Sequence, residues 1–93
     1  MSPARLELYV HQASAAGRAA VAHARSLAQS RPQEAFELVV FDVARSPLAA
    51  EQAGVLVTPT LILRHGEREW RAIGDLSDPV ALARCFGWES SRP

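Results

Sequence analysis

Two strand-like runs on either side of a single helix limit the fold of this chain more than any other feature of its sequence. Residues 5–10 are rich in strand formers and partly alternate, and residues 36–43 are almost continuously apolar. Between them, Ser14 is placed to cap a helix that runs to about Gln29, in which small apolar residues recur at helical spacing. This order predicts a right-handed crossover between two parallel strands, the second covered on both faces.

A short helix and a hairpin are predicted next. Ser46 suits the capping position of a helix, Pro47 its first turn, and Gly54 its end. Residues 61–64 and 70–73 then flank a glycine-containing turn, which is typical of two antiparallel strands.

A last helix follows the hairpin. Ser77 or Asp78 is placed to cap it, and Pro79 lies in its first turn. Its apolar side includes Val80 and also carries Cys85, which we expect to be a buried and inert thiol.

The order strand-helix-strand-helix-strand-strand-helix predicts a thioredoxin-like α/β fold with a mixed four-stranded sheet. We expect one domain over residues 1–93, with an ordered core from about residue 5 to residue 88. In this architecture the position directly before the third strand holds a cis-proline, so we predict a cis peptide bond at Pro59.

Composition excludes several classes of function. The chain has 10 basic and 10 acidic residues and a formal net charge of zero, which argues against a nucleic-acid-binding protein. No run of 18 apolar residues and no leader segment is visible in the sequence, so we expect no membrane span and a cytoplasmic location.

The cysteine content also argues against thiol chemistry. The chain has one cysteine and therefore no internal disulfide and no Cys-x-x-Cys pair. A redox enzyme of this fold carries its nucleophilic thiol at the start of the first helix, where residues 11–14 contain none. Ser14 is better interpreted as a helix cap than as a nucleophile, and the histidines form no metal-binding pattern. We therefore expect a protein that is not an enzyme and has no cofactor, no metal and no catalytic residue.

Three blocks of sequence together carry a family resemblance. The blocks are Asp42-Val43 with Pro47, Thr58-Pro59-Thr60-Leu61, and Ile73-Gly74-Asp75-Leu76-Ser77. Their order and spacing, from about Leu6 to Leu82, resemble the KaiB family of circadian-clock proteins.

The resemblance implies a regulator that binds a KaiC-type hexameric ATPase, and a sensor histidine kinase is a second implied partner. It also implies a second, ground-state fold that forms oligomers, whereas the thioredoxin-like form is monomeric. Gly74 and Asp75 match the junction at which the two conformations diverge. The partner face is then expected at the second strand and second helix, with four candidate binding residues: Arg45, Pro47, Glu51 and Gln52.

Two departures from the family separate this chain from its clock members. A hairpin turn replaces the proline-rich stretch that follows the third strand in cyanobacterial KaiB, so we expect a bias toward the thioredoxin-like form. The second helix carries fewer charges, and the acidic C-terminal tail is absent, so a non-cyanobacterial signalling or stress pathway is at least as well supported by the sequence as a circadian oscillator. One alternative function is a thioredoxin-fold enzyme or glutathione-binding protein that lacks the redox cysteine pair and uses Pro59 and the start of the first helix. Another is a purely structural oligomerisation domain.

Overall fold

The fold was examined in a computed structural model, which describes residues 4–88. Its strands and helices follow the predicted order: β1 (Arg5–Val10), α1 (Ala15–Gln29), a 3-10 turn (Pro32–Glu34), β2 (Glu37–Asp42), α2 (Pro47–Ala53), β3 (Thr60–His65), β4 (Arg68–Ile73) and α3 (Pro79–Cys85). The strands form one sheet in the order β2-β1-β3-β4. β1 pairs with β2 in parallel, and the other two pairings are antiparallel, so the mixed four-stranded sheet is confirmed.

Strand β1 lies inside the sheet, and β2 lies at its edge. Tyr9 on β1 has Phe41 of β2 on one side and Thr60 of β3 on the other. Side chains along β2 are half-buried, with Glu37 exposed. The prediction that the second strand is covered on both faces is confirmed, since Leu38 and Val40 pack on one side of the sheet and Phe41 on the other. The strand is half-buried because it lies at the edge of the sheet.

All three helices begin where their sequence signals predict, but only α1 and α3 have the expected side-chain cap. The Ser14 hydroxyl oxygen accepts a hydrogen bond from the Gly17 N–H at 2.9 Å, and the Asp78 carboxylate accepts one from Val80 at 3.0 Å. Ser46 makes no side-chain capping bond. Ser46 therefore occupies the predicted capping position without a side-chain cap, and the fixed φ of Pro47 suits the first turn of this helix.

The larger core lies between the sheet, α1 and α3. Its buried side chains come mainly from the two central strands and from the helix faces turned toward them, and they include Leu6, Leu8, Val10, Ala20, Ala24, Leu27, Leu61, Leu63, Leu76, Leu82 and Phe86. The small alanine side chains of α1 let this helix pack closely on the strands. Gly17 fits the same interface, because a Cβ there would lie 1.8 Å from the His11 carbonyl oxygen.

The smaller core lies on the opposite sheet face, under α2. It consists of Tyr9, Ile62 and Ala50, with Phe41 stacked on the Tyr9 ring at 4.7 Å between centroids. Leu61 and Ile62 are both fully buried, yet they belong to different cores because neighbouring strand residues point to opposite faces.

Helix α3 departs from its expected orientation in two places. Val80 is 62% exposed and Cys85 is exposed, so both predictions of burial are wrong. The helix is held instead by Leu82 and Phe86, and the Cys85 thiol donates to the Arg71 carbonyl oxygen of β4 at 2.9 Å.

Candidate functional site

The four candidate partner-binding residues lie together on the face of the sheet that carries α2. Arg45 is exposed in the turn after β2, and Pro47 is exposed at the start of α2. Glu51 and Gln52 are exposed on the outward side of the same helix, while Ala50 is buried beneath it. We call this region the α2 surface and include in it Leu48, Leu56 and Val57.

Those three apolar residues were missed by the sequence prediction. Leu48 is 66% exposed on α2, and in the loop before β3 Leu56 is 94% exposed and Val57 53%. Leu56 and Val57 line one groove, and apolar side chains that lie together at a protein surface mark an interaction site more often than scattered ones do. A signal was available in the sequence, since Leu48 precedes Glu51 by three residues and therefore shares its helix side.

A groove of about 410 Å³ lies behind the loop that carries Leu56. Apolar residues form most of its lining, and His11 is the one ionisable residue among them. The lining residues are His11, Val43, Ala50, Val55, Leu56, Val57 and Thr58. The groove therefore favours apolar partner groups, with polar contacts available at its margin.

Arg71 on β4 anchors the C-terminal end of α2. Its guanidinium donates to the carbonyl oxygens of Ala53 and Gly54, two of the groups that a helix end leaves unpaired. The same side chain donates to Glu69 at 2.6 Å, and this hydrogen bond lowers the pKa of the Glu69 carboxyl. Helix α2 is thus attached to the sheet by polar bonds as well as by its small core.

A buried carboxylate organises the remainder of this sheet face. Glu7 accepts hydrogen bonds from the Tyr9 hydroxyl and the Arg64 guanidinium, both at 3.1 Å, and pairs with Arg5 at 3.2 Å. Burial, followed by the negative charge of Glu7, raises the pKa of Tyr9. Arg64 also donates to Glu69 at 2.7 Å, so the ion pairs run from β1 through β3 to β4.

Gly74 and Asp75, the predicted junction between the two conformations, lie beside Pro59. The Thr58–Pro59 peptide bond is cis, and the Gly74 N–H donates to the Pro59 carbonyl oxygen at 3.0 Å. Gly74 has a φ of 97°, a conformation that favours glycine. The Asp75 carboxylate accepts from the Ser77 N–H at 2.9 Å, and hydrogen bonds from Ser77 lower the pKa of Asp75.

The structure therefore separates the predicted residues into two groups. Pro59, Gly74 and Asp75 line a groove of about 360 Å³ against α1, together with His23. His23 is half-buried at this groove. The α2 surface lies on the other face of the sheet.

The start of α1, where a thioredoxin-fold enzyme would carry its thiol, contains a small cavity of about 140 Å³ beside Pro59. The Ser14 hydroxyl there donates a hydrogen bond to the His11 carbonyl oxygen at 2.9 Å and accepts one from the Gly17 N–H. Its donor and its acceptor are therefore both used in capping the helix. Cys85 is on α3, away from this position. Within residues 4–88, no group of three or more His, Cys, Asp or Glu side chains could hold a metal ion, and no helix is long and apolar enough to cross a membrane.

Comparison with protein families and with curated proteins gives consistent results. A family model described as the KaiB domain matches residues 7–88. The circadian clock protein KaiB3 of Synechocystis sp. (strain ATCC 27184 / PCC 6803 / Kazusa) is 32% identical over 73 residues, which cover 78% of this chain and 72% of that protein.

Solved structures show the same fold. The N-terminal domain of SasA from Synechococcus elongatus superposes with a TM-score of 0.74 at 24% identity, covering 99% of this chain and 90% of that one. A mutant thioredoxin from Halobacterium salinarum NRC-1 gives a TM-score of 0.73 at 20% identity, covering 99% of this chain and 80% of that one. The thioredoxin-like fold class is thereby confirmed.

Proposed function

This chain belongs to the KaiB family, and we propose that it is a non-catalytic clock-type regulatory protein that binds a KaiC-type ATPase through its α2 surface. The observation that carries the proposal is the exposure of Leu48, Leu56 and Val57 beside the outward residues of α2. A protein–protein interface of this kind combines apolar anchors at its centre with a polar rim. Here the rim consists of Arg45, Pro47, Glu51 and Gln52, and their exposure leaves them available to a partner.

The contacts that hold α2 on the sheet, hydrogen bonds at its end and aromatic rings beneath it, are consistent with this role. Arg71 ties the C-terminal end of the helix to β4, and Tyr9 with Phe41 supports it from the sheet. A partner therefore meets a surface whose backbone is already positioned, which reduces the ordering cost of binding.

We further propose that the thioredoxin-like arrangement is the resting fold of this chain. The hairpin of β3 and β4 pairs all six positions of each strand through a short turn at Gly66 and Glu67, which favours this arrangement of the C-terminal half. Gly74 and Asp75, at the end of that hairpin, are the positions at which an alternative arrangement would diverge. NMR in solution tests this point, and a populated second set of signals confined to the C-terminal half would contradict it.

The test measures binding of this chain to a purified hexameric KaiC-type ATPase by biolayer interferometry, once in buffer that contains ATP and once in buffer that contains ADP. We expect Leu56→Asp to weaken binding at least tenfold, because a charge replaces an apolar anchor while the fold loses no buried contact. Val80→Asp is the control, since Val80 is also a large apolar residue exposed to solvent but lies on α3, on the other side of the sheet.

Equal loss for both variants, or binding unaffected by Leu56→Asp, would show that the α2 surface is not the site. Absence of any binding by the wild-type chain would remove the ATPase as partner. The two alternative functions, a thioredoxin-fold enzyme and a glutathione-binding protein, are tested separately by assays of thiol transfer and of glutathione conjugation. Turnover above background would contradict the non-catalytic assignment.

A further inference from the structure

Helix α1 has a charge pattern that the proposed function does not use. None of the 10 acidic residues of the chain lies between positions 8 and 33, whereas this segment contains three arginines and two histidines. Arg31 pairs with Glu34 at 3.3 Å, so its charge is engaged within the fold. Arg18 and Arg25 are exposed, and within residues 4–88 neither of them forms an ion pair.

The two arginines lie on one side of the helix. A separation of seven residues corresponds to almost two full turns, or about 10 Å along the axis. Ala22 and Gln29 are exposed on the same side and carry no charge. The outer side of α1 therefore presents two guanidinium groups with no carboxylate on the same helix to neutralise them.

The helix dipole does not account for this arrangement. Acidic residues stabilise the first turn of a helix and basic residues its last turn, because of the helix dipole. In α1 the first turn has no acidic residue, the last turn has no basic residue, and Arg18 lies close to the N-terminal end. Arg18 does donate to the Ala13 carbonyl oxygen at 2.8 Å, but Arg25 has no such local bond within the described chain. Arg18 therefore has a local bond besides its charge, whereas no partner within residues 4–88 accounts for the charge of Arg25.

We propose that the outer side of α1 is a second interaction surface, which binds an acidic helical segment of a protein partner. Carboxylates seven residues apart on that segment would match the spacing of Arg18 and Arg25, and arginine pairs well with carboxylates. Two arginines on a chain of zero net charge offer few phosphate contacts, which favours a protein partner over nucleic acid. Helix α1 and the α2 surface lie on opposite faces of the sheet, so both surfaces are accessible at the same time.

The test uses an NMR titration of the isotopically labelled chain at low salt. The probe is an alanine-rich helical peptide of about 18 residues that carries glutamates seven residues apart, a length sufficient for helix formation. We expect chemical-shift changes concentrated on α1 that disappear in about 0.5 M salt. The double variant Arg18→Glu, Arg25→Glu should weaken binding about tenfold, and a glutamate at position 18 suits the helix dipole, so the fold is retained. Arg84→Glu on α3 is the control for charge reversal elsewhere and should leave the affinity unchanged.

The proposal is overturned by shifts that lie outside α1, by equal binding of a peptide with glutamine in place of glutamate, or by a double variant that binds as well as the wild type. Stronger binding to phosphatidylserine vesicles or to single-stranded DNA than to the peptide would assign the surface to phosphates instead. The ATPase takes no part in this titration, so its outcome is independent of the proposed function.

Discussion

The two faces of the sheet are built from the same four strands but differ in what their side chains contact. On one face, α1 and α3 cover a continuous apolar core. On the other, α2 covers only a small core around Ile62, and the rest of the face carries the Glu7–Arg64–Glu69 ion pairs. The difference teaches that apolar burial is concentrated on one face, whereas the other combines a small core with ion pairs and with the exposed Leu48, Leu56 and Val57.

The largest expected effect comes from the adjacent pair Leu61 and Ile62. We expect Leu61→Ala to lower the free energy of unfolding by about 3–4 kcal/mol, because the continuous core cannot collapse around the cavity. Ile62→Ala should cost about 1 kcal/mol less, since the thinner cover under α2 can relax. Urea unfolding monitored by circular dichroism measures both. Equal losses would show that the two cores are equally rigid.

Trp88 tests how α3 contributes to the larger core. Its ring packs on Phe86 at 5.2 Å and Phe36 at 5.4 Å between centroids, and Arg31 lies over it at 4.4 Å. We expect Trp88→Ala to destabilise the fold by about 2 kcal/mol, less than a fully buried aromatic residue would, because Trp88 is half-buried. Hydrogen exchange should show the greatest loss of protection in α3. Trp88→Phe is the control that keeps an aromatic ring, and a loss as large as that of the alanine variant would argue against ring packing as the cause.

Glu7 tests the polar face. Replacing its carboxylate by the amide in Glu7→Gln removes the charge shared with Arg64 and Arg5, and we expect a loss of about 1–2 kcal/mol. Both arginines remain partly exposed to water, which limits the cost. Glu37→Gln on the exposed edge strand should change the free energy of unfolding by less than about 0.5 kcal/mol. A neutral Glu7→Gln would indicate that the ion pairs contribute no net stability.

The smallest effect is a pH dependence at Glu69. Its lowered folded-state pKa means that the ionised group stabilises the fold above the unfolded pKa of about 4.3, and that this contribution is lost as the pH falls through the lower folded value. Glu69→Gln should therefore be less stable than the wild type at neutral pH, by under about 1 kcal/mol because the group is exposed, and equally stable in strong acid. Thermal unfolding at both pH values measures the difference, and a constant gap between the two proteins would contradict the assignment.

Much of the fold could be predicted because its signals are local. The bounds of α2 follow from Pro47 and Gly54, and Ser14 and Asp78 form the expected caps. The predictions are wrong where tertiary packing decides whether a side chain is buried or exposed. The orientation of α3 about its axis, which exposes Val80 and Cys85, depends on how Leu82 and Phe86 meet the core.

The candidate site shows the same division. The resemblance pointed to α2 and to the neighbourhood of Arg45, and these positions are exposed on one surface. The loop residues Leu56 and Val57 were missed, because an apolar residue before a strand is ordinarily buried, and only the packing of that loop leaves the two side chains in solvent.

The sequence by itself determined the order of strands and helices, their ends, the family and the exclusion of an internal disulfide, since each depends on residue types and spacings along the chain. Only the tertiary structure decided which strand lies at the edge, which apolar side chains remain outside the core, and which charges find partners. Burial and ion pairing depend on neighbours distant in sequence: Glu7 meets Arg64 across 57 positions of the chain, whereas Arg25, on a helix without acidic residues, meets none within residues 4–88.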